Sequence, residues 1–204
     1  MNKIEFINKV VFGYIKKDLE NIKSYLPKRP GEEGNNNFTI ALCVLSYMEY
    51  LGSFFTLDSW NFEKNVSAYI ERCFTTPSDY HPAILGDLFR NGLAHDYFAR
   101  GGVSRDGIRP GLYKNYDNKA VLDADTLLDD FLVSLDKFVQ ELPDDKFTTR
   151  MEMAKQTISD RETKYADEIG KLRFIGDIPG ARTSGATTYP EPINITRPYD
   201  PNEK

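Results

Sequence analysis

The sequence predicts an all-α fold: a bundle of about five to six helices, with a Gly-rich loop or hairpin inserted late and an extended arm at the C-terminus. Three observations predict it. Apolar residues recur at steps of three, four or seven through most of the first 142 positions. Glycine and proline gather in the breaks between those stretches and in the tail. Of the 204 residues, 40% are hydrophobic and 28% charged, which suits a soluble domain with one real core and an appendage.

The first helix is read from Ile4, Ile7, Val11, Tyr14, Ile15, Ile22 and Tyr25, with lysines and glutamates on the opposite side. It ends in "LPKRPGEEGNNN", a segment dense in helix breakers. The second, "FTIALCVLSYMEYLGSFF", is apolar on most sides and is expected to be the central helix, with Asn37 as its N-cap. The third, "LDSWNFEKNVSAYIERCF", offers Trp60, Phe62, Val66, Tyr69, Ile70 and Phe74 as buried candidates. After "TTPSDYHP" a fourth begins near Pro82, with Ile84, Leu85, Leu88 and Phe89 on its apolar face.

Four glycines and one proline between Gly101 and Asp117 exclude a helix there. "GLYKNY" and "KAVLD" are spaced to form a short hairpin. Next comes the clearest helix, with Leu128, Phe131, Leu132, Leu135, Phe138, Val139 and Leu142 in register and Asp123 or Asp125 as cap. A last helix, within residues 144–170, has a thin apolar stripe and suits solvent or a partner. Residues 171–204, rich in proline, read as an extended arm in which Tyr189, Ile193, Ile195 and Tyr199 are candidate anchors.

The net charge of −5 excludes a general polyanion binder, so any nucleic-acid contact must be local. Between Ala99 and Lys114, Arg100, Arg105, Arg109 and Lys114 face the single acid Asp106, a balance of +3. From Asp123 to Gly170, thirteen acids face six bases, a balance of −7. Glycines in the basic loop would let backbone N–H groups approach a phosphate. Cys43 and Cys73 lie in apolar surroundings and read as reduced, buried small hydrophobes; no zinc spacing is present. His81, before Pro82, reads as a surface or capping residue. No signal-type or 18-residue apolar run is seen, so the cytoplasm is the expected location.

The chemistry concentrates in "LFRNGLAHDYFARGG", which holds one of the two histidines. On an α-helix, at about 100° per residue, Asn91 and His95 share a face, whereas Arg90 and His95 lie about 140° apart. Histidine can act as base or acid near neutral pH. Arginine stays charged and matches phosphate oxygens. Asparagine can orient a hydroxyl or the imidazole. Together they suit metal-independent cleavage of RNA: His95 taking the 2′-OH proton and Arg90 stabilising charge on the phosphoryl oxygens. Arg100, Arg105, Arg109 and Lys114 would hold the RNA backbone.

The stretch "RNGLAHDY" resembles the signature of the HEPN superfamily, small all-α domains of which many are endoribonucleases in toxin–antitoxin, anti-phage and RNA-processing systems. Its Arg-x4-His-x-Tyr form is similar to HEPN toxins paired with minimal nucleotidyltransferase antitoxins. The resemblance covers residues 1–143 as a HEPN-like domain. It implies that Arg90 and His95 are catalytic, that Asn91 supports them, and that Tyr97 is a target for adenylylation by a nucleotidyltransferase antitoxin. It implies no cofactor and a homodimer, with two copies of the motif facing each other. The same residues also admit plainer roles: polar groups at a helix end cap it and complement its dipole. A non-catalytic nucleotide- or RNA-binding module, or a scaffold that docks a partner through its last helix and arm, is the alternative.

Overall fold

The computed structural model describes residues 1–26, 36–96 and 102–171, apart from the side chains of His95 and Asp96. The molecule is mostly helical, with a small sheet. Helix α1 runs through Lys3–Phe6, Ile7–Lys16 and Lys17–Tyr25; its middle segment is widened to i→i+5 hydrogen bonding. The Asn2 side chain caps it, accepting from the Glu5 N–H at 2.8 Å. The widening resets the apolar register. Ile7, Val11, Ile15 and Leu19, four residues apart, face the core. Ile4 and Tyr25, expected on that face, are 70% and 78% exposed.

Helix α2, Asn37–Thr56, is the axis of the bundle. By length and composition it could cross a membrane, but its apolar residues, Ile40 to Phe55, are buried largely by the chain itself. Asn36, in the left-handed region, occupies the N-cap position that was expected for Asn37. The Asn37 side chain instead donates to the Val103 carbonyl at 2.7 Å, tying the start of α2 to the insertion. Helix α3, Phe62–Cys73, starts later than its periodicity suggests. The Asp58 carboxylate accepts from the N–H groups of Trp60 and Asn61, and Asn61 then caps the helix by accepting from Lys64. That turn carries Trp60 outward: it is 74% exposed, with the Arg161 guanidinium 5.1 Å from its ring centre.

Helix α4 consists of Pro82–Ile84 followed by the i→i+5 segments Leu85–Arg90 and Gly92–Asp96. Three strands follow: β1 (Gly102–Ser104), β2 (Leu112–Lys114) and β3 (Ala120–Asp123). Strands β2 and β3 form the expected antiparallel hairpin, Leu112 opposite Leu122, with Asn118 in the left-handed region at its turn. Strand β1, which no periodicity announced, pairs parallel to β3 with Gly102 opposite Val121. Helix α5, Ala124–Glu141, buries the predicted Leu128, Phe131, Leu135, Phe138 and Val139. Helices α6 (Asp144–Lys164) and α7 (Ala166–Gly170) complete the described chain.

Aromatic rings fill the core. The Phe54 ring centre lies 4.9 Å from Phe6, 6.1 Å from Phe147 and 6.3 Å from Phe138, joining α2 to α1, α6 and α5. Tyr69 packs on Phe131 and Phe138, and its hydroxyl is satisfied by Ser134 at 2.8 Å. Gly52 lets α2 and α3 cross closely: a Cβ there would stand 2.0 Å from the Asn65 carbonyl oxygen. Cys73 is buried and Cys43 half-buried; both are free, and burial raises both thiols, Cys73 to about 12.

Candidate functional site

Arg90 ends the first i→i+5 segment of α4, and the helix is anchored beneath it by the buried Leu85, Phe89 and Leu93. The Arg90 guanidinium rests in a seat made by three elements. Glu49 of α2 pairs with it at 3.3 Å, with the carboxylate largely buried. The Phe62 ring of α3 lies 5.9 Å from its centre. The neighbouring Asn91 accepts from it at 3.2 Å. One turn earlier, Gly86 lets the same Phe62 ring come close; a Cβ there would be 2.9 Å from it. The Arg90 side chain is 31% exposed, with one terminal nitrogen held by Glu49 and the other by Asn91.

The winding of α4 changes the angular relation within the motif. With i→i+5 bonding each residue advances less than on an α-helix, so positions 90 and 95 stand nearer one face than the 140° expected from α geometry. His95 lies on the second such segment; its side chain, and residues Tyr97 and Arg100, lie outside the described residues. Asn91 is exposed.

Sequence reasoning missed Glu49 and Phe62. Glu49 had a signal: it is the only charged residue within α2, and a lone acid in the most apolar helix needs a partner. Phe62 had none beyond its place as a buried candidate.

The basic loop is organised differently from a free cradle. Asp123, fully buried at the start of α5, gathers it. Its carboxylate accepts from the Thr126 N–H (2.8 Å), the Ser104 hydroxyl (2.8 Å) and the N–H groups of Asp106 (2.7 Å) and Gly107 (3.1 Å). Burial alone would raise this carboxyl, but the bonds from Thr126, Ser104 and Asp106 hold it below its ordinary value. The Gly107 N–H, expected to face a phosphate, is thus taken by a carboxylate of the chain. Arg105 is 5% exposed and bonds Asp125 at 2.9 Å and the Leu26 carbonyl at 2.9 Å. In this arrangement it holds the loop rather than facing a surface ligand, which corrects its assignment as a backbone contact. Arg109 forks onto Asp130, at 3.0 and 2.5 Å, and the Tyr80 hydroxyl donates to the same carboxylate at 2.7 Å. Burial, and then Asp130, push the Tyr80 phenol far up. Gly111 gives Tyr80 its place: a Cβ there would be 2.3 Å from the hydroxyl. The two arginines are balanced by Asp125 and Asp130, so the loop's surplus of positive charge is smaller in the fold than along the chain. Lys114 is exposed.

Among the described residues no group of three His, Cys, Asp or Glu side chains could hold a metal ion. His81 is exposed and occupies the N-cap position of α4, its carbonyl accepting from the Leu85 N–H at 3.0 Å while its side chain makes no cap bond. No family model, no curated protein and no solved structure matches this chain.

Proposed function

We propose that this chain is a HEPN-type, metal-independent endoribonuclease that works as a cytoplasmic homodimer, as a toxin or anti-phage effector. The observation that carries this reading is the seat of Arg90. An arginine oriented by Glu49, Asn91 and Phe62, with its side chain 31% exposed, can meet phosphoryl oxygens, and it sits on the helix that also carries His95. In this mechanism His95 takes the proton from a ribose 2′-OH. The 2′ oxygen attacks phosphorus, the bond to the 5′ oxygen breaks, and that oxygen takes a proton from water as it leaves, while the proton held by His95 returns to solvent. The product is a 2′,3′-cyclic phosphate. Arg90 stabilises the charge on the non-bridging oxygens, and Asn91 orients the reacting groups. A second copy of the motif faces the first across the dimer. Arg100, Lys114 and Arg109 contact the RNA backbone, Arg109 by exchanging Asp130 for phosphate. Tyr97 is the residue that a nucleotidyltransferase antitoxin would modify.

The test is cleavage of RNA by the purified chain in EDTA, with the 3′ ends identified. Cyclic phosphate ends are expected, with losses of about 10²-fold or more in Arg90→Ala and His95→Ala. Cleavage by His95→Ala at the parent rate removes His95 as base, and no cleavage by the parent ends the reading. The second reading is a nucleotide- or RNA-binding or partner-docking module without turnover; with Arg105 and Arg109 engaged by Asp125 and Asp130, its described cationic contact from the basic loop is Lys114. It predicts salt-sensitive retention of intact RNA.

A further inference from the structure

Strand β2 borders the sheet. In the hairpin the Asp123 N–H donates to the Gly111 carbonyl and the Asn115 N–H to the Lys119 carbonyl, with Tyr113 opposite Val121 between them. The odd-numbered residues of β2 therefore turn their backbone groups to β3. Those of Leu112 and Lys114 point the other way, and no described residue bonds them. Such an edge is a template for a further strand. The side chains of Leu112, Lys114 and Ala120 share one face of the hairpin. With Ile84, at the start of α4, they line a hollow of about 380 Å3.

The chain carries a segment that matches this edge, outside the described residues. Between positions 189 and 199, Tyr189, Ile193, Ile195 and Tyr199 are all odd-numbered, and Pro190, Pro192 and Pro198 are all even-numbered. Proline pushes the residue before it to extended backbone, so Tyr189, Glu191 and Arg197 favour a strand. In a strand the odd side chains share one face and the odd backbone groups one edge. The prolines, which have no N–H, then fall on the opposite edge, where a border strand tolerates them. The 22 residues from Lys171 to Ile193 can span up to about 70 Å. A domain of this size has a radius of gyration of about 16 Å, so the arm can reach its own sheet. Tethering keeps it there at an effective concentration on the order of millimolar, which favours its own edge over a second copy's. We infer that the arm adds to the sheet of its own chain as a fourth strand on β2, with Ile193 and Ile195 bonding the backbone of Lys114 and Leu112 and filling the hollow. Charge sets the direction. Run antiparallel, Ile193 stands opposite Lys114 and Ile195 opposite Leu112, and Glu191 comes diagonal to Lys114 on the same face; run parallel, Arg197 would stand there. The two isoleucines meet Ile84, Leu112 and Ala120, which gives a strand this short the apolar burial it needs. None of this depends on RNA cleavage.

The test is amide hydrogen exchange of the full chain, followed by NMR. Leu112, Lys114, Ile193 and Ile195 are expected to be protected about tenfold or more over Asn194 and Thr196, whose N–H groups face outward. The double variant Ile193→Asp, Ile195→Asp should strip that protection from Leu112 and Lys114, while Tyr113, paired with β3, and the amides of α2 keep theirs. The double variant Asn194→Asp, Thr196→Asp should change nothing. Exchange at Leu112 and Lys114 as fast in the parent as in the Ile193→Asp, Ile195→Asp chain overturns the inference. So does equal protection across residues 193–196, since a strand paired on one edge protects alternate amides. Mixing the isotope-labelled Ile193→Asp, Ile195→Asp chain with unlabelled parent separates the occupants. No change at Leu112 supports the arm on its own sheet. Protection regained there means that a second copy's arm takes the edge, which overturns its placement within one chain.

Discussion

The aromatic bundle and the inserted sheet are held together by opposite means. Around α2, rings from four helices close on Phe54 and Phe138, and the contacts are apolar and without direction. Between Gly102 and Asp123 the structure depends on one buried carboxylate, one buried guanidinium and a few backbone groups aimed at them. A packed core tolerates changes of shape at graded cost, whereas a polar hub fails when its single acceptor is removed. The difference says where the chain is robust and where it is brittle.

The largest effect that tests this contrast is in the bundle. Phe54→Ala should cost about 3–5 kcal/mol by urea unfolding, since four rings lose their common neighbour. A cost under 1 kcal/mol would mean the bundle is not held by this cluster. Asp123→Ala comes next, at about 2–3 kcal/mol, from the lost helix cap and the stranded donors. Its signature is local: amides of Asp106, Gly107 and Thr126 should lose exchange protection while those of α2 keep theirs. Equal loss in both regions would erase the distinction.

The same residue sets a pH response. The folded Asp123 carboxyl lies below its ordinary value, so its contribution is fully present above the unfolded value of about 4 and is lost as pH falls through the lower folded value. Asp123→Ala should therefore flatten the acid limb of the stability curve; an unchanged limb would remove Asp123 from it. Arg109→Ala should cost under about 1 kcal/mol, because the guanidinium is mostly exposed. Trp60→Ala is the smallest, about 0.5 kcal/mol, limited to the surface contact with Arg161. A loss above 2 kcal/mol in either would show that the surface carries more of the fold than its exposure allows.

The bundle was legible in the sequence because burial on a helix repeats. The stripe from Leu128 to Val139 needs only periodicity, and the structure buries it nearly as read. The hairpin was legible from its turn residues. The hub was not: Ser104, Asp106 and Gly107 meet Asp123 from 16 to 19 positions away, and no local pattern encodes a carboxylate shared at that range. Trp60 misled because propensity favoured helix while the Asp58 and Asn61 side chains bound the backbone in a turn. At the candidate site, Arg90 and Asn91 were found from residue type. The Glu49 and Phe62 walls come from other helices, and the wider winding that moves positions 90 and 95 together leaves no mark in composition.

Gly52 links the two halves of that site without touching it. It lies three residues after Glu49, and Asn65, its close neighbour across the crossing, lies three after Phe62. The missing side chain at position 52 therefore gauges the width of the slot into which Arg90 fits. A single methyl there is a wedge: it parts the jaws of a clamp from the hinge side, loosening a guanidinium that the substituted residue never meets.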